Sequence, residues 1–545
     1  MNSEDEKLAS RIAEILARLI QEGSDIGSIP AATYRIQLNH RFTFKEAAAI
    51  IPYLSSLGVT HIYTSPYLMA KSESLHGYDI SDHNALNPEI GSEEEYGVFI
   101  KKLRAEGLGQ VIDIVPNHMG ITESKNRWWM DVLENGPSSA YAHYFDIDWN
   151  PVKEELRGKV LLPILGDQYG KALERQELSL IFEESGFFAL YDHRELPIAA
   201  QTYPLILRHR WEELERRLGR EYEDLLELEL LISALDRLPP LTESDMEKIA
   251  KGNREKEVAK KRLALLYAKS PPIRSFIDEN IAIFNGRKGD PHSFDLLDRL
   301  LNVQAYRLAN WRVAADEINY RRFFDINDLA SISMERPEVF EETHRLIFRL
   351  IREGKVQGLR IDHPDGLYDP PEYLERLQRR CLIEKAKAFL PPAVLDREAL
   401  DSMMMDILDR VEKEGQGKGR GSLPLYLIVE KILSRGERLP TAWPVHGTVG
   451  YEFAHVLNGL FIDATHAGAF DQIYSDFIGE RLRFQDVVYE RKKMVMNTTM
   501  ASEINVLARR LNRLSEKDRL SRDFTLYSLR DAIREIIACF PVYRT

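Results

Sequence analysis

The chain predicts an α/β fold built on a parallel sheet. Two observations carry this. From Ala31 the pattern runs strand, helix, strand, helix, and the third strand, LGQVIDIVPNH (108–118), is almost continuously apolar. Alternating β and α segments give parallel strands joined by right-handed crossovers. An apolar strand is one buried on both faces, which fits a barrel or a doubly wound sheet.

The elements follow in order. Residues 3–21 read as a surface helix, with Ser3 and Glu6 spaced as a capping box and Leu8, Ile12, Ile15, Leu16 and Leu19 at helical intervals. It reads as a docking helix without chemistry. ATYRIQL (32–38) is a short strand, 45–57 a helix stopped by Gly58, and VTHIYTSP (59–66) a strand closed by Pro66. Residues 92–107 form a helix with a serine cap, an acidic first turn and a terminal glycine. The stretch 150–320 breaks the rhythm. Residues 208–237, 243–270 and 295–316 are charged, amphipathic helical patterns, so an inserted helical subdomain is expected, whose solvated faces also suit a wall or lid over a cleft. The rhythm resumes at VQGLRIDHPDG (356–366) and LPLYLIVEKIL (423–433), and the chain turns helical after Gly450. The glycines at 415, 417 and 419 precede a strand rather than follow one, so they read as a surface loop and not a dinucleotide loop.

Composition narrows the class. The chain has 545 residues, 44% hydrophobic and 29% charged, so a large core is expected. With 86 acidic and 73 basic side chains the net charge is −13, which gives no general attraction to nucleic acid or anionic lipid. There are two cysteines, Cys381 and Cys539, and so no disulfide framework. No secretory or membrane-spanning pattern is visible, and a soluble cytoplasmic protein is expected. There is no GxxxxGK[ST] run for a nucleotide and no HExxH for zinc. Asp325 and Asp328 of RRFFDINDLA (321–330) are weak as a calcium loop. No cofactor or metal is expected.

Chemistry collects at the C-terminal ends of the strands, the rim where α/β barrels build active sites. The third strand ends in Asp113, Asn117 and His118. The fourth carries Arg360 and Asp362, two apart and therefore on one face. Pairing with Arg360 is expected to keep Asp362 ionised, as a nucleophilic carboxylate requires. The fifth ends in Glu430, where burial would raise the pKa and favour a protonated acid. One charged and one protonated carboxyl is the pair for retaining glycoside cleavage. Ion pairs in a barrel core would give the same pattern. The loop 75–91 places His76, Tyr78, Asp79 and His83 together, a set suited to sugar rings and hydroxyls. Of the aromatic cluster at 126–151, most side chains read as core.

DIVPNH (113–118), GLRIDH (358–363) and the strand ending in Glu430 resemble the first conserved regions of the α-amylase superfamily of glycoside hydrolases. The longer runs HGYDISDHNALNPEIG (76–91), YRLANWRVAADEINYRRFFDINDLA (306–330), LRIDHPDGLYDP (359–370) and IVEKIL (428–433) are similar to its maltooligosyltrehalose synthase family. The resemblance implies a (β/α)8 TIM-type barrel, of which strands near 33–38, 59–64, 110–115, 357–362, 425–430 and 446–450 are counted: an incomplete barrel with a large, mainly helical insertion. The organisation expected is a helix (1–28), a first barrel part (29–125), the insertion (126–320), a second barrel part (321–465) and a helical segment (466–545). The implied activity is an intramolecular transglucosylation that turns the reducing-end α-1,4 linkage of a maltooligosaccharide into an α,α-1,1 linkage, upstream of a trehalose-releasing hydrolase. Carried over, Asp362 is the nucleophile, Glu430 the general acid/base and Arg360 the residue that orients Asp362, while His118 and Tyr78 line the sugar subsite with Asp79 in support. His76, Asn117, His363, Arg322, Phe324 and Asp325 are further candidate substrate contacts, and Asp113 is a structural one. Glu452 stands where the family has Asp, and the family's third carboxylate would fall beyond PVYRT (541–545), so the chain is expected to be an N-terminal portion. An ordinary α-glucan hydrolase or transferase, or an inactive glucan-binding fragment, is the alternative.

Overall fold

The structure is a computed structural model that describes residues 3–22, 29–123, 125–183, 186–395, 399–414, 423–434 and 436–542. The glycine-rich segment at 415–422 and the last residues of PVYRT lie outside these. The described residues form two compact units. One comprises Met1–Gly120, Ile332–Arg483 and Phe540–Thr545, the other Ile121–Ser331 and Phe484–Cys539.

The first unit is organised by six strands: β1 (Thr33–Ile36), β2 (His61–Thr64), β3 (Gly109–Ile114), β4 (Gly358–Ile361), β5 (Tyr426–Val429) and β6 (Gly447–Thr448). They pair in that order, every pair parallel, so sheet order follows chain order as in a TIM-type barrel. The predicted strands and the incomplete barrel are thus observed. Register places Tyr63 beside Val111, Asp113 beside Arg360, and Ile361 beside Val429.

Helices α1 (Ser3–Glu22), α2 (Phe44–Ser56), α3 (Glu93–Ala105), α4 (Pro337–Arg352), α5 (Pro370–Lys387) and α6 (Leu400–Glu414) belong to the same unit. Thr43 with Glu46 caps α2 and Ser92 with Glu95 caps α3, each satisfying otherwise orphaned N–H groups in both directions. Ile12 and Leu16 of α1 are fully buried, in one cluster with Leu382, Ile383, Met404 and Leu408 of α5 and α6, so the first helix docks as its periodicity predicts. Beyond β6, Tyr451–Gly459 and Ala467–Ile478 contain no buried residue, and Phe461 and Phe477 are 84% and 88% exposed.

The loop predicted at 75–91 is in part a strand. Ile80–Leu86 pairs antiparallel with Leu68–Ala70, and His83 is buried within it rather than presented with its neighbours.

The second unit is less helical than its charge pattern predicts. Glu223–Asp236 and Met246–Lys269 are long helices, but 295–316 breaks into a helix at Asp295–Asn302 and a strand at Tyr306–Asn310. That strand pairs parallel with Val160–Leu165, and Leu178–Glu183, Gly186–Tyr191 and Arg194–Pro197 form an antiparallel sheet. Leu308 and Ala309 are buried, so the strand is set by packing where helical spacing of charges had decided the prediction. The expected loop at 321–330 is a hairpin, Arg322–Phe323 with Ile326–Ser331. Among the described residues no helix is long and apolar enough to cross a membrane.

Candidate active site

The polar groups of the first unit converge at the C-terminal ends of β2, β3, β4 and β5. Asp113 is the hub. It is fully buried, its Oδ2 accepts the hydroxyls of Tyr78 at 2.6 Å and Tyr63 at 2.9 Å, and its Oδ1 accepts Arg360 Nη1 at 2.8 Å. The same Nη1 reaches Asp362 Oδ1 at 2.6 Å, so one guanidinium nitrogen bridges two carboxylates. Arg35 Nη2 donates to the Tyr78 hydroxyl at 3.3 Å, and its guanidinium lies over the Tyr63 ring, 5.5 Å from the centroid. The Arg360 guanidinium sits 5.9 Å from the centre of the Tyr78 ring.

Backbone order explains the convergence. Asp362 and Glu430 are the residues next after β4 and β5, strands in register. The Asp362 N–H donates to Ile114 O at 2.9 Å and the Glu430 N–H to Ile361 O at 2.9 Å. The ladder therefore runs through the last residue that can hold a carboxyl at the rim, and adjacent strands lie about 4.8 Å apart.

Burial sets the direction of the carboxyl electrostatics. Burial raises the pKa of Asp362, and Arg360, which opposes it, does not overcome that cost. The sequence shows the pairing but not the depth of the site. Asp113 is pushed up to about 6 by burial, Arg360 lowering it and Asp362 raising it. Glu430, half-buried, is raised by burial first, with Arg360 opposing and Asp362 and Asp365 adding, which is the predicted direction for an acid. Burial lowers the proton affinity of Arg360, but Asp113, Tyr63 and Asp362 outweigh it and the net direction is up.

The remaining candidates divide. His118 and Asn117 are buried at the end of β3. Asp79 accepts the Ser74 hydroxyl at 2.5 Å. His76, with 57% of its side chain exposed, lies 3.9 Å from Asp79. His363 follows Asp362 with φ 45°, a left-handed backbone. Arg322, Phe324 and Asp325 fall in the second unit. Arg322 is a structural residue there. Its five N–H donors go to Glu503 Oε1 twice, Thr499 O, Asp325 O and Asn327 Oδ1, which leaves none for a sugar. Phe324, half exposed at φ 51°, packs edge-on against Phe323, and Asp325 is exposed.

Tyr63, Arg35, Asp365 and Lys431 are polar groups of this region that the sequence reading missed. Arg35 was visible as a lone charge in the run YRIQL and Lys431 as a charge beside Glu430 in LIVEKIL, and a buried lysine is costly unless paired. Tyr63 gives no signal, because a tyrosine in a strand is ordinary.

Sheet order and this rim of carboxylates resemble an α-amylase type of catalytic domain, and residues 47–173 match the alpha amylase catalytic domain. Within that class the chain is similar to maltooligosyl trehalose synthases. It is 29% identical over 438 residues to a putative maltooligosyl trehalose synthase of Mycobacterium tuberculosis, covering 79% of this chain and 38% of that protein. The maltooligosyltrehalose synthase structure from Arthrobacter ramosus superposes with a TM-score of 0.62 at 30% identity, covering 95% of this chain and 48% of that one. A hypothetical maltooligosyl trehalose synthase from Sulfolobus tokodaii gives 0.59 at 26% identity, covering 95% and 49%. The chain thus spans half or less of the length of these relatives.

Proposed function

We propose that the protein is an α-glucan-acting, intramolecular transglucosylase that converts the reducing-end α-1,4 linkage of a maltooligosaccharide into an α,α-1,1 linkage. The observation that carries the reading is the Arg360 bridge between Asp113 and Asp362, with Glu430 next to Asp362 on the adjacent strand. In this reading Asp362 attacks the anomeric carbon and Glu430 protonates the departing oxygen, the division of labour of a retaining pair. Asp113, Tyr63 and Arg35 support Arg360 and Tyr78 from behind. The glucosyl intermediate is then captured by the anomeric hydroxyl of the released glucose in place of water, which demands a site that holds that glucose. The product ends in a trehalose unit, the substrate of a separate hydrolase.

Incubation of the full-length gene product with maltopentaose tests this. Loss of reducing ends with little free glucose is expected, and Asp362→Ala should abolish it. Shortening of the glucan with new reducing ends would instead identify a hydrolase, and turnover surviving in Asp362→Ala would refute the nucleophile.

A further inference from the structure

The turn after β4 and the loop after β5 are joined by a buried ion cluster. His363 takes its left-handed conformation, and Pro364–Gly366 closes a single helical turn behind it. A methyl group on Gly366 would overlap Asn117 Oδ1 and the His363 ring, so the turn lies directly on the end of β3. This brings the buried Asp365 carboxylate to the ammonium of Lys431, 3.3 Å from each oxygen. Lys431 is 1% exposed and also lies 3.1 Å from Glu437 Oε1. Glu437 Oε2 in turn accepts the Ser434 N–H at 2.8 Å.

A lysine this deep is seldom a net source of stability, because desolvation offsets much of the attraction. Its placement is more informative. Lys431 follows Glu430 directly, just beyond the end of β5, so the ammonium fixes the chain next to the acid. The His363 N–H donates to the Glu430 carboxyl, and the Asp365 charge acts on it.

We propose that Asp365 and Lys431 are positioning residues for Glu430: the ammonium holds the Asp365 carboxylate, and with it the turn that carries Asp362 and His363, at a fixed place beside the acid. The proposal rests on Glu430 being the acid of the reaction above. Asp365 then acts on the acid through its negative charge, which opposes ionisation of Glu430 and so favours a proton available for the departing oxygen.

The charged and titratable groups around Glu430 are Arg360, Asp362 and Asp365 from the β4 side and Lys431 next to it in the chain. On the β6 side His446 accepts the Leu427 N–H and Glu452 accepts the Thr448 hydroxyl. Only Asp365 and Lys431 change in the test. The full chain is labelled with [δ-13C]glutamate, the Glu430 resonance is identified by its loss in Glu430→Gln, and its titration midpoint is followed. In Asp365→Asn, an isosteric change, the midpoint is expected to fall by about half a pH unit or more, the effect of removing a nearby like charge. Lys431→Met should lower it similarly, because a buried carboxylate deprived of its cation takes up a proton and loses its charge. Lys431→Arg should restore the wild-type value. An unmoved midpoint in folded Asp365→Asn overturns the proposal, and that variant decides alone if Lys431→Met does not fold. The measurement needs no turnover, so a full-length product inert towards maltopentaose refutes the proposed function separately, and an active one with an unmoved midpoint refutes this inference alone.

Discussion

Replacing Arg360 by Met removes the one cation that bridges Asp113 and Asp362. The side chains involved are 7%, 0% and 12% exposed, so solvent screens little of the loss. Breaking a buried pair leaves an uncompensated charge and costs about 3–5 kcal/mol. Here two carboxylates are abandoned, but either can escape by taking up a proton, so the cost must depend on pH. Asp113 titrates near 6 with Arg360 present, above its unfolded value, and is lifted further without it. A group whose folded pKa is raised contributes stability below the unfolded pKa and loses it as pH rises through the folded one. The penalty of Arg360→Met should therefore be smallest near pH 5 and largest near pH 8, by about 1.4 kcal/mol for each pH unit over which one extra proton is held. Of the six tryptophans only Trp443 lies in the first unit, so 5-fluorotryptophan at that position reports its unfolding in urea. A loss below about 1 kcal/mol, or an equal loss at pH 5 and pH 8, would refute the bridge as the centre of the site.

Three further outcomes are expected. Tyr78→Phe removes the 2.6 Å hydrogen bond to Asp113 and should cost about 1–2 kcal/mol in the same urea assay, while raising the Asp113 midpoint, since that bond favours the ionised form. Arg322→Ala strands Glu503 and should destabilise the second unit by about 3–5 kcal/mol, read as faster amide exchange in Ala501–Ser515; unchanged exchange would return Arg322 to the substrate contacts. Glucan turnover should be bell-shaped in pH, with the acid limb above the ordinary Asp range because burial raises Asp362 against Arg360. Its alkaline limb should lie above the ordinary Glu range because burial, Asp362 and Asp365 raise Glu430 against Arg360; an acid limb at or below about 3.9 would contradict the burial argument.

The barrel strands were legible because they carry a signal of their own. β3, β4 and β5 lie in short apolar runs stopped by glycine, proline or a polar cluster, and parallel strands buried on both faces need such runs. The strands at Tyr306–Asn310 and Val160–Leu165 were hidden among charged helices, because NWRVAADE continues a helical spacing past the strand's end. The hairpin at Arg322–Ser331 was hidden by its polarity: the Arg322 guanidinium is hydrogen-bonded within it, to Asp325 O and Asn327 Oδ1.

In the site, residues two apart on one strand or at equivalent ends of adjacent strands were readable, and Asp113, Arg360, Asp362 and Glu430 are all of that kind. What spacing cannot give is depth. The pairing of Arg360 with Asp362 was readable, but not that burial raises the Asp362 pKa against it, because at this depth a single shared guanidinium nitrogen serves two carboxylates. The same depth explains Tyr63, Tyr78 and Arg35. An acid as buried as Asp113 must have its lone pairs occupied, and two phenols and one arginine do so without adding a second cation at the hub itself. The hub is thereby left short of positive charge, and burial with the Asp362 and Asp365 charges raises the pKa of the neighbouring Glu430 against Arg360.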